Sequence, residues 1–460
     1  MVARVVIAAP GSGHGKTTIA AGLMAALRAA GHTVSGHKVG PDFIDPSYHA
    51  LATGRPARNL DPFLQGEDRL VPLLRHGCAG ADVAVIEGVM GLFDGALGTE
   101  GYASTAHVAR VLEAPVVLVV DASAASRSVA ATVLGFANYD PRVRLAGVII
   151  NKLGSQRHED EIATALEATG VPLLGALRRN ENVHAPSRHL GLVPAAERAA
   201  DSQRVLPELA SWVAGGVDLE AVVRVARAAP PLSGPVWTPD GTWEGPRAVV
   251  AAAAGPAFTF RYTENLELLA SHGVDVVDVD PLRDEALPEG CAGLYFGGGF
   301  PEVHAAELAA NEPLLAAVSA AAGRGMPVSA ECAGLLYLCR ELDGQPMAGV
   351  VDATAVMTKR GKLGYRTAVS SADNVLATAG RRVTGHEFHR TELTPAAGPA
   401  PAWGWDRTVD GFASASLHAS YLHVHWAGHP VLAERFAAHV RAFAPRGKGV
   451  RPADEVVSRG

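Results

Sequence analysis

Cysteine is scarce in this 460-residue chain, with only Cys78, Cys291, Cys332 and Cys339. Four thiols exclude a disulfide framework, and no pair has zinc-finger spacing. Basic residues are in deficit: 40 Lys+Arg stand against 47 Asp+Glu, a net charge of −7, which argues against a general nucleic-acid binder. Aromatics reach only 6%, yet 48% of residues are apolar, enough for sizeable cores and too much for a disordered chain. No uncharged run attains the roughly 18–20 residues of a membrane span. The opening MVARVVIAAPGSGHGKTT lacks the length and cleavage region of a signal peptide. The expectation is a reduced, cytoplasmic protein with neither nucleic acid nor membrane as partner; a homodimer is the assembly considered.

What is present is alternation. Short β-branched runs (Arg4–Ala8, Thr33–Val39, Val83–Glu87, Val116–Asp121, Leu145–Asn151) are separated by Ala-rich helical stretches such as Thr17–Ala30, stopped at Gly31. That rhythm predicts an α/β domain with a mostly parallel sheet over residues 1–225. Residues 226–247, crowded with proline and glycine, read as a linker. A second α/β domain is expected over 248–445, with strands at Ala248–Ala254, Asp275–Val279, Gly293–Phe296 and Pro327–Ala330, followed by a polar tail over 446–460.

Residues 4–18 read as strand, glycine loop and helix, the arrangement that cradles nucleotide phosphates on backbone N–H groups. Gly11, Gly13, His14, Gly15, Lys16, Thr17 and Thr18 are the expected nucleotide contacts. Lys16 would reach the β/γ-phosphates and the Thr17 hydroxyl would ligate Mg²⁺. The strict pattern wants glycine where Pro10 stands. KVGPDFIDP then places Lys38, Asp42 and Asp45 past a strand end, and VIEGVMGLFDG places Glu87 and Asp94 past another. Ligands gather at the carboxyl ends of such strands, and phosphoryl transfer needs both Mg²⁺-holding carboxylates (Asp45 and Glu87 beside Thr17) and a charge-neutralising cation such as Lys38. Asn151 ends a further strand, where it would meet a base; NKLG lacks the Asp that selects guanine, so adenine is favoured.

In the second half, PVSAECAGLLYL sets Cys332 on a sharp turn between strand and helix. A nucleophile there is lifted clear, and the helix N-terminus is expected to favour its thiolate. The N–H groups of Gly297, Gly298 and Gly299 in LYFGGGFPE are candidates for an oxyanion hole. SLHASYLHVHWAGHP offers four histidines as base; if Tyr421–Trp426 is a strand, His423 and His425 share a face and alternation cannot separate them. A zinc site competes for these histidines, but no cysteine or acid pair accompanies them at ligand spacing.

The stretches SGHGKTT, KVGPDFIDP, VIEGVMGLFDG, RHLGLVPAAE, FGGGFPE, SAECAGLLYL, GHEFHRTEL and SYLHVHW, in that order, resemble the cobyrinate/hydrogenobyrinate a,c-diamide synthases of corrin biosynthesis over nearly the whole chain. The resemblance implies an ATP-dependent amide-forming domain similar to dethiobiotin synthetase, fused to a class I glutamine amidotransferase domain of the Triad type. It implies that Cys332 attacks the carboxamide of L-glutamine with His423 as base. ATP with Mg²⁺ would activate the a and c acetate carboxylates of hydrogenobyrinic or cobyrinic acid as acyl phosphates for ammonia. Asp42, Asp45, Glu87 and Asp94 would lie in the synthetase site. Two departures stand out: His425 occupies the position of the Glu that follows the base in many relatives, and Gly255 replaces an Asp. The rivals are the same chemistry on another tetrapyrrole acid such as nickel-sirohydrochlorin, a cobyric acid synthase, and a partition-type ATPase switch. Gly11 stands where that switch carries its signature lysine.

Overall fold

The computed structural model describes residues 2–180, 187–188, 191–192 and 199–444. The 446–460 tail and most of RHLGLVPAAE lie outside the described residues. Strands β1 (Ala3–Ala8), β2 (Val34–Val39), β3 (Arg58–Leu60), β4 (Val83–Glu87), β5 (Val116–Asp121), β6 (Leu145–Leu153) and β7 (Leu173–Arg178) form one parallel sheet in the order β3-β2-β4-β1-β5-β6-β7. Val5, Val6 and Ile7 are all fully buried, because helices cover both faces. The helix Lys16–Ala29 unwinds at Gly31, whose φ of 93° is open to glycine at little cost.

After a short ribbon of β8 (Ser187–Arg188) and β9 (Gly191–Leu192), a second sheet is built from β10 (Ala248–Ala253), β11 (Val274–Val279), β12 (Cys291–Phe296) and β13 (Val328–Glu331). Every strand read from the sequence is present within two residues of its expected ends. A third, mainly antiparallel sheet was not expected. It contains β14 (Glu341–Leu342), β15 (Gln345–Pro346), the long hairpin β16 (Thr354–Val369) and β17 (Arg382–Thr394), β18 (Trp403–Trp405) and β19 (Thr408–Asp410). The chain then returns through β20 (Phe412–Ala413) and β21 (Leu417–Ser420) to complete the second sheet as β11-β10-β12-β13-β21-β20.

The two α/β halves share a core. Phe43, Ile44, Tyr48 and Leu64 from the first pack with Phe260, Tyr262 and Phe300 from the second. A buried polar clasp lies alongside, with Arg58 2.8 Å from Glu264 and 2.6 Å from Glu267. Burial alone would raise the Glu264 pKa, but His425 and Arg58 overcome it and hold the group at about 2. Its stabilisation is therefore complete above the ordinary carboxyl pKa and is lost as pH falls through about 2. We expect Glu264→Gln to lower unfolding free energy at pH 7 by roughly 3 kcal/mol, with the gap to wild type narrowing steadily between about pH 4.5 and 2 in urea titrations.

Candidate functional site

At the carboxyl end of β1 the chain enters the glycine loop, where Gly13 and Gly15 both have φ of 87°. A Cβ on Gly15 would lie 2.3 Å from Asn151 Nδ2, so conformation and space both demand glycine. Gly11, Gly13, Gly15, Lys16, Thr17 and Thr18 line a cleft of about 1160 Å³ that also exposes Lys38, Asp42, Asp45 and Asn151. The Lys16 ammonium donates to the Met90 carbonyl at 2.7 Å; burial and the nearby Lys38 charge lower its pKa to about 8.

Beneath the loop, Lys38 forms the hub. Its ammonium lies 2.5 Å from Asp45, 3.0 Å from Glu87 and 3.8 Å from Asp42. Burial works against that charge, but Asp45, Glu87 and Asp42 outweigh it and raise the pKa. Glu87, desolvated yet held by Lys38 and His49, stays well below the usual carboxylate range. Asp45 is pushed up by burial and by its acidic neighbours. The Thr17 hydroxyl donates to Glu87 at 2.6 Å and stands 3.3 Å from Asp45. Thr17, Asp45 and Glu87 bring hard oxygens together, and the Lys38 ammonium bonds the same two carboxylate oxygens, so a Mg²⁺ there, with water and phosphate completing its shell, would share Asp45 and Glu87 with Lys38.

Three sequence expectations change here. Asp94 is exposed and accepts the Gly91 N–H at 3.0 Å, so it shapes its own loop and does not join the Lys38 cluster. The His14 ring accepts the Asp121 N–H, which turns it away from the cleft. Asn151 donates to the His14 carbonyl at 2.9 Å, bracing the loop beside any base it meets. His49, 2.7 Å from Glu87, was not singled out; its position four residues after Asp45 on one helix was the available signal.

In the second half, β13 ends at Glu331 and Cys332 takes φ 50° and ψ −99° before the helix Ala333–Leu338. The turn is locked by Cys332 N–H to Ser420 O and by Gly334 N–H to Gly297 O. A Cβ on Gly334 would meet the Phe296 carbonyl at 2.5 Å. Burial, with Glu302 nearby, pushes the Cys332 pKa well up despite the Ala333 N–H. The resting group is therefore a thiol, which corrects the expected thiolate: desolvation exceeds the pull of a short helix.

The oxyanion expectation is also revised. Gly298 N–H donates to Phe260 O at 2.8 Å and is spent on that bridge. Its glycine identity has another cause: a Cβ there would lie 2.5 Å from His423 Cε1. Gly299 is required because a Cβ there would overlap the Ala257 carbonyl. We expect Gly298→Ala to displace the His423 ring and reduce glutamine hydrolysis at least about tenfold, while an added ammonium salt still supports amidation.

Tyr421–Trp426 is not a strand. β21 stops at Ser420, and His423 makes only an isolated bridge with His386. This separates the histidines that alternation could not. His425 lies 2.8 Å from Gln65 and 3.4 Å from Glu264, inside the interface. His429 accepts the Thr384 N–H, and His418 packs against Trp403. His423 alone keeps both ring nitrogens buried with no hydrogen-bond partner. Burial, with His386 and His389, lowers its pKa to about 3, so the resting ring is a neutral imidazole. His386, Glu387 and His389 support this site: Glu387 bonds Arg366 and His389, whose ring stacks on Tyr421 at 3.6 Å.

Gly255, the second departure, has φ 85° and the Asp280 carboxylate 2.5 Å from where its Cβ would be. The two sites also meet. Phe43, between Asp42 and Asp45 in sequence, sets its ring 4.8 Å from the His423 ring and stacks on Phe260.

Residues 5–193 match the family described as the CobQ/CobB/MinD/ParA nucleotide binding domain, and residues 249–431 match the CobB/CobQ-like glutamine amidotransferase domain. The chain is 55% identical to the hydrogenobyrinate a,c-diamide synthase of Streptomyces coelicolor, across 96% of this chain and 98% of that protein. It is 56% identical to the enzyme of the same name from Thermobifida fusca, over the same shares. It is 44% identical to the cobyrinate a,c-diamide synthase of Gloeobacter violaceus, across 96% of this chain and 98% of that protein.

Proposed function

The chain belongs to the cobyrinate/hydrogenobyrinate a,c-diamide synthase family, and we propose that its substrate is hydrogenobyrinic acid, amidated at the a and c acetate carboxylates with ATP and glutamine. The preference for the metal-free macrocycle is carried by one observation: identity is 52–56% to relatives named for hydrogenobyrinate and 40–44% to those named for cobyrinate.

A free carboxylate resists attack by ammonia, so its oxygen first takes the γ-phosphoryl group and ADP leaves. Ammonia then attacks the carbonyl carbon and phosphate departs. The glycine loop and Lys16 hold the phosphates; Lys38 offsets negative charge as the phosphoryl group moves. Mg²⁺, held by Thr17, Asp45 and Glu87, would neutralise charge on the phosphate oxygens. Ammonia comes from the second site, where the Cys332 sulfur attacks the glutamine carboxamide, its proton passing to His423 and on to the leaving nitrogen. Water then hydrolyses the γ-glutamyl thioester. We read residues 1–225 as the synthetase unit and 248–445 as the amidotransferase unit.

The test is competition among acceptors. Hydrogenobyrinic acid, cobyrinic acid and nickel-sirohydrochlorin are each supplied with ATP, Mg²⁺ and glutamine, and kcat/KM is compared. The highest value is expected for hydrogenobyrinic acid. A higher value for either metallated acceptor would reassign the substrate while leaving the chemistry in place.

A further inference from the structure

The residue that orients the base of the glutaminase site is not given by any motif, since His425 fills the usual position and faces the interface. We propose that Glu331, the residue immediately before the nucleophile, is the positioning carboxylate for His423. This rests on reading the second site as a glutaminase and adds a residue to it.

The geometry comes first. Glu331 is the last residue of β13 and pairs with Ser420 of β21, so its backbone is fixed within the sheet. One carboxylate oxygen lies 3.8 Å from His423 Nδ1, and the other lies 3.5 Å from the Val424 N–H. Both oxygens thus address the His423–Val424 segment. With Glu331 on the Nδ1 side, Nε2 is left for the thiol.

Elimination points the same way. Four buried carboxylates occur in this half among the described residues: Glu264, Glu331, Glu387 and Asp410. Glu264 is engaged by Arg58, and Glu387 by Arg366 and His389. Asp410 accepts from the Ser420 hydroxyl and the Tyr421 N–H. The Glu331 carboxylate has a single long hydrogen bond, and the His423 ring has none. Two buried, under-bonded groups of complementary chemistry face each other, and an inward shift below 1 Å would close the bond.

The chemistry needs such a group. When the thiol proton reaches Nε2, an imidazolium forms where burial otherwise keeps the ring neutral. Burial raises the Glu331 pKa to about 8, so the cation forming on His423 is what favours its ionised form, and the carboxylate at Nδ1 in turn stabilises that cation and fixes the ring's rotation. Glu331 takes no proton from the substrate; the thiol proton goes to Nε2 and then to the departing amide nitrogen.

The experiment measures glutamate release and ammonium-dependent amidation in the full-length Glu331→Gln protein. Glutamate release needs no corrin acceptor, so this test stands apart from the substrate assignment. We expect kcat for glutamine to fall on the order of 100-fold, with KM for glutamine and ammonium-dependent amidation unchanged. A glutamine kcat within about threefold of wild type, with the ammonium reaction intact, would overturn the assignment. If the ammonium reaction also weakens, the ratio of glutamine to ammonium kcat decides, read in Glu331→Asp beside Glu331→Ala. A ratio higher in the Asp protein, which keeps the carboxylate, supports positioning; equal ratios overturn it.

Discussion

Cys332→Ala is expected to abolish glutamine-dependent amidation and to leave ammonium-dependent amidation at the wild-type rate. The expected loss with glutamine is at least about 1,000-fold, because no other group can form the thioester. Cys78 and Cys339 are buried with thiol pKa values pushed up to about 12, and Cys291 lies at the opposite end of its strand from the Gly297–Gly299 loop. The Ala side chain suits the site, since small residues (Ala330 and Gly334) stand two positions to either side and removal of sulfur leaves the turn's backbone bonds to Ser420 and Gly297 in place. Retention of the ammonium reaction is the informative half. It requires the Lys16–Lys38 site to accept ammonia whatever its origin, and it separates a dead glutaminase from an unfolded protein. Loss of both reactions, with the fold intact by circular dichroism, would contradict two chemically separable sites.

Lys38→Met is expected to have the opposite signature, eliminating amidation with either nitrogen source. Lys38 is 2% exposed and is the only cation in direct contact with Asp45 among the described residues. Removing its charge leaves Asp45 and Glu87 buried side by side, with His49 in contact with Glu87 and the Lys16 charge farther off to compensate. Breaking a buried pair by deleting one partner costs about 3–5 kcal/mol, so urea unfolding should shift by that amount as well as activity being lost. Glutamate release should survive at temperatures where the variant remains folded. A Lys38→Met protein that still formed amide with ammonium at more than about a tenth of the wild-type rate would remove Lys38 from the phosphoryl-transfer machinery.

Most strands of the parallel sheets were legible because they are buried on both faces. Val83–Glu87 and Val116–Asp121 are continuous apolar runs, and an apolar run bounded by turns reads as a strand without help from its neighbours. The hairpin of β16 and β17 was not. Its pairing shifts between Met357 and Lys362, a bulge that breaks two-residue periodicity, and Lys359, Arg360 and Lys362 there are exposed.

The site divides on similar lines. Lys16, Thr17, Cys332 and the strand-end acids Asp45 and Glu87 are placed by local backbone geometry, which sequence encodes locally. The roles of His425 and Phe43 depend on packing between the two halves, and that of Gly298 on the distant His423, and no local pattern carries either. Asp94 misled because an acid in a Gly-rich loop after a strand serves equally well as a turn cap. The apolar contact of Phe43 with His423 shows how far apart in sequence the two chemistries are joined.

The most direct test of the account is a single mass measurement. Purified full-length protein is incubated with hydrogenobyrinic acid, ATP, Mg²⁺ and glutamine labelled with ¹⁵N at its amide, and the corrin product is weighed alongside the ADP formed. The expected product is a macrocycle carrying two labelled amides, with one ADP for each. ATP turnover or glutamate release with no labelled nitrogen in the macrocycle would contradict it.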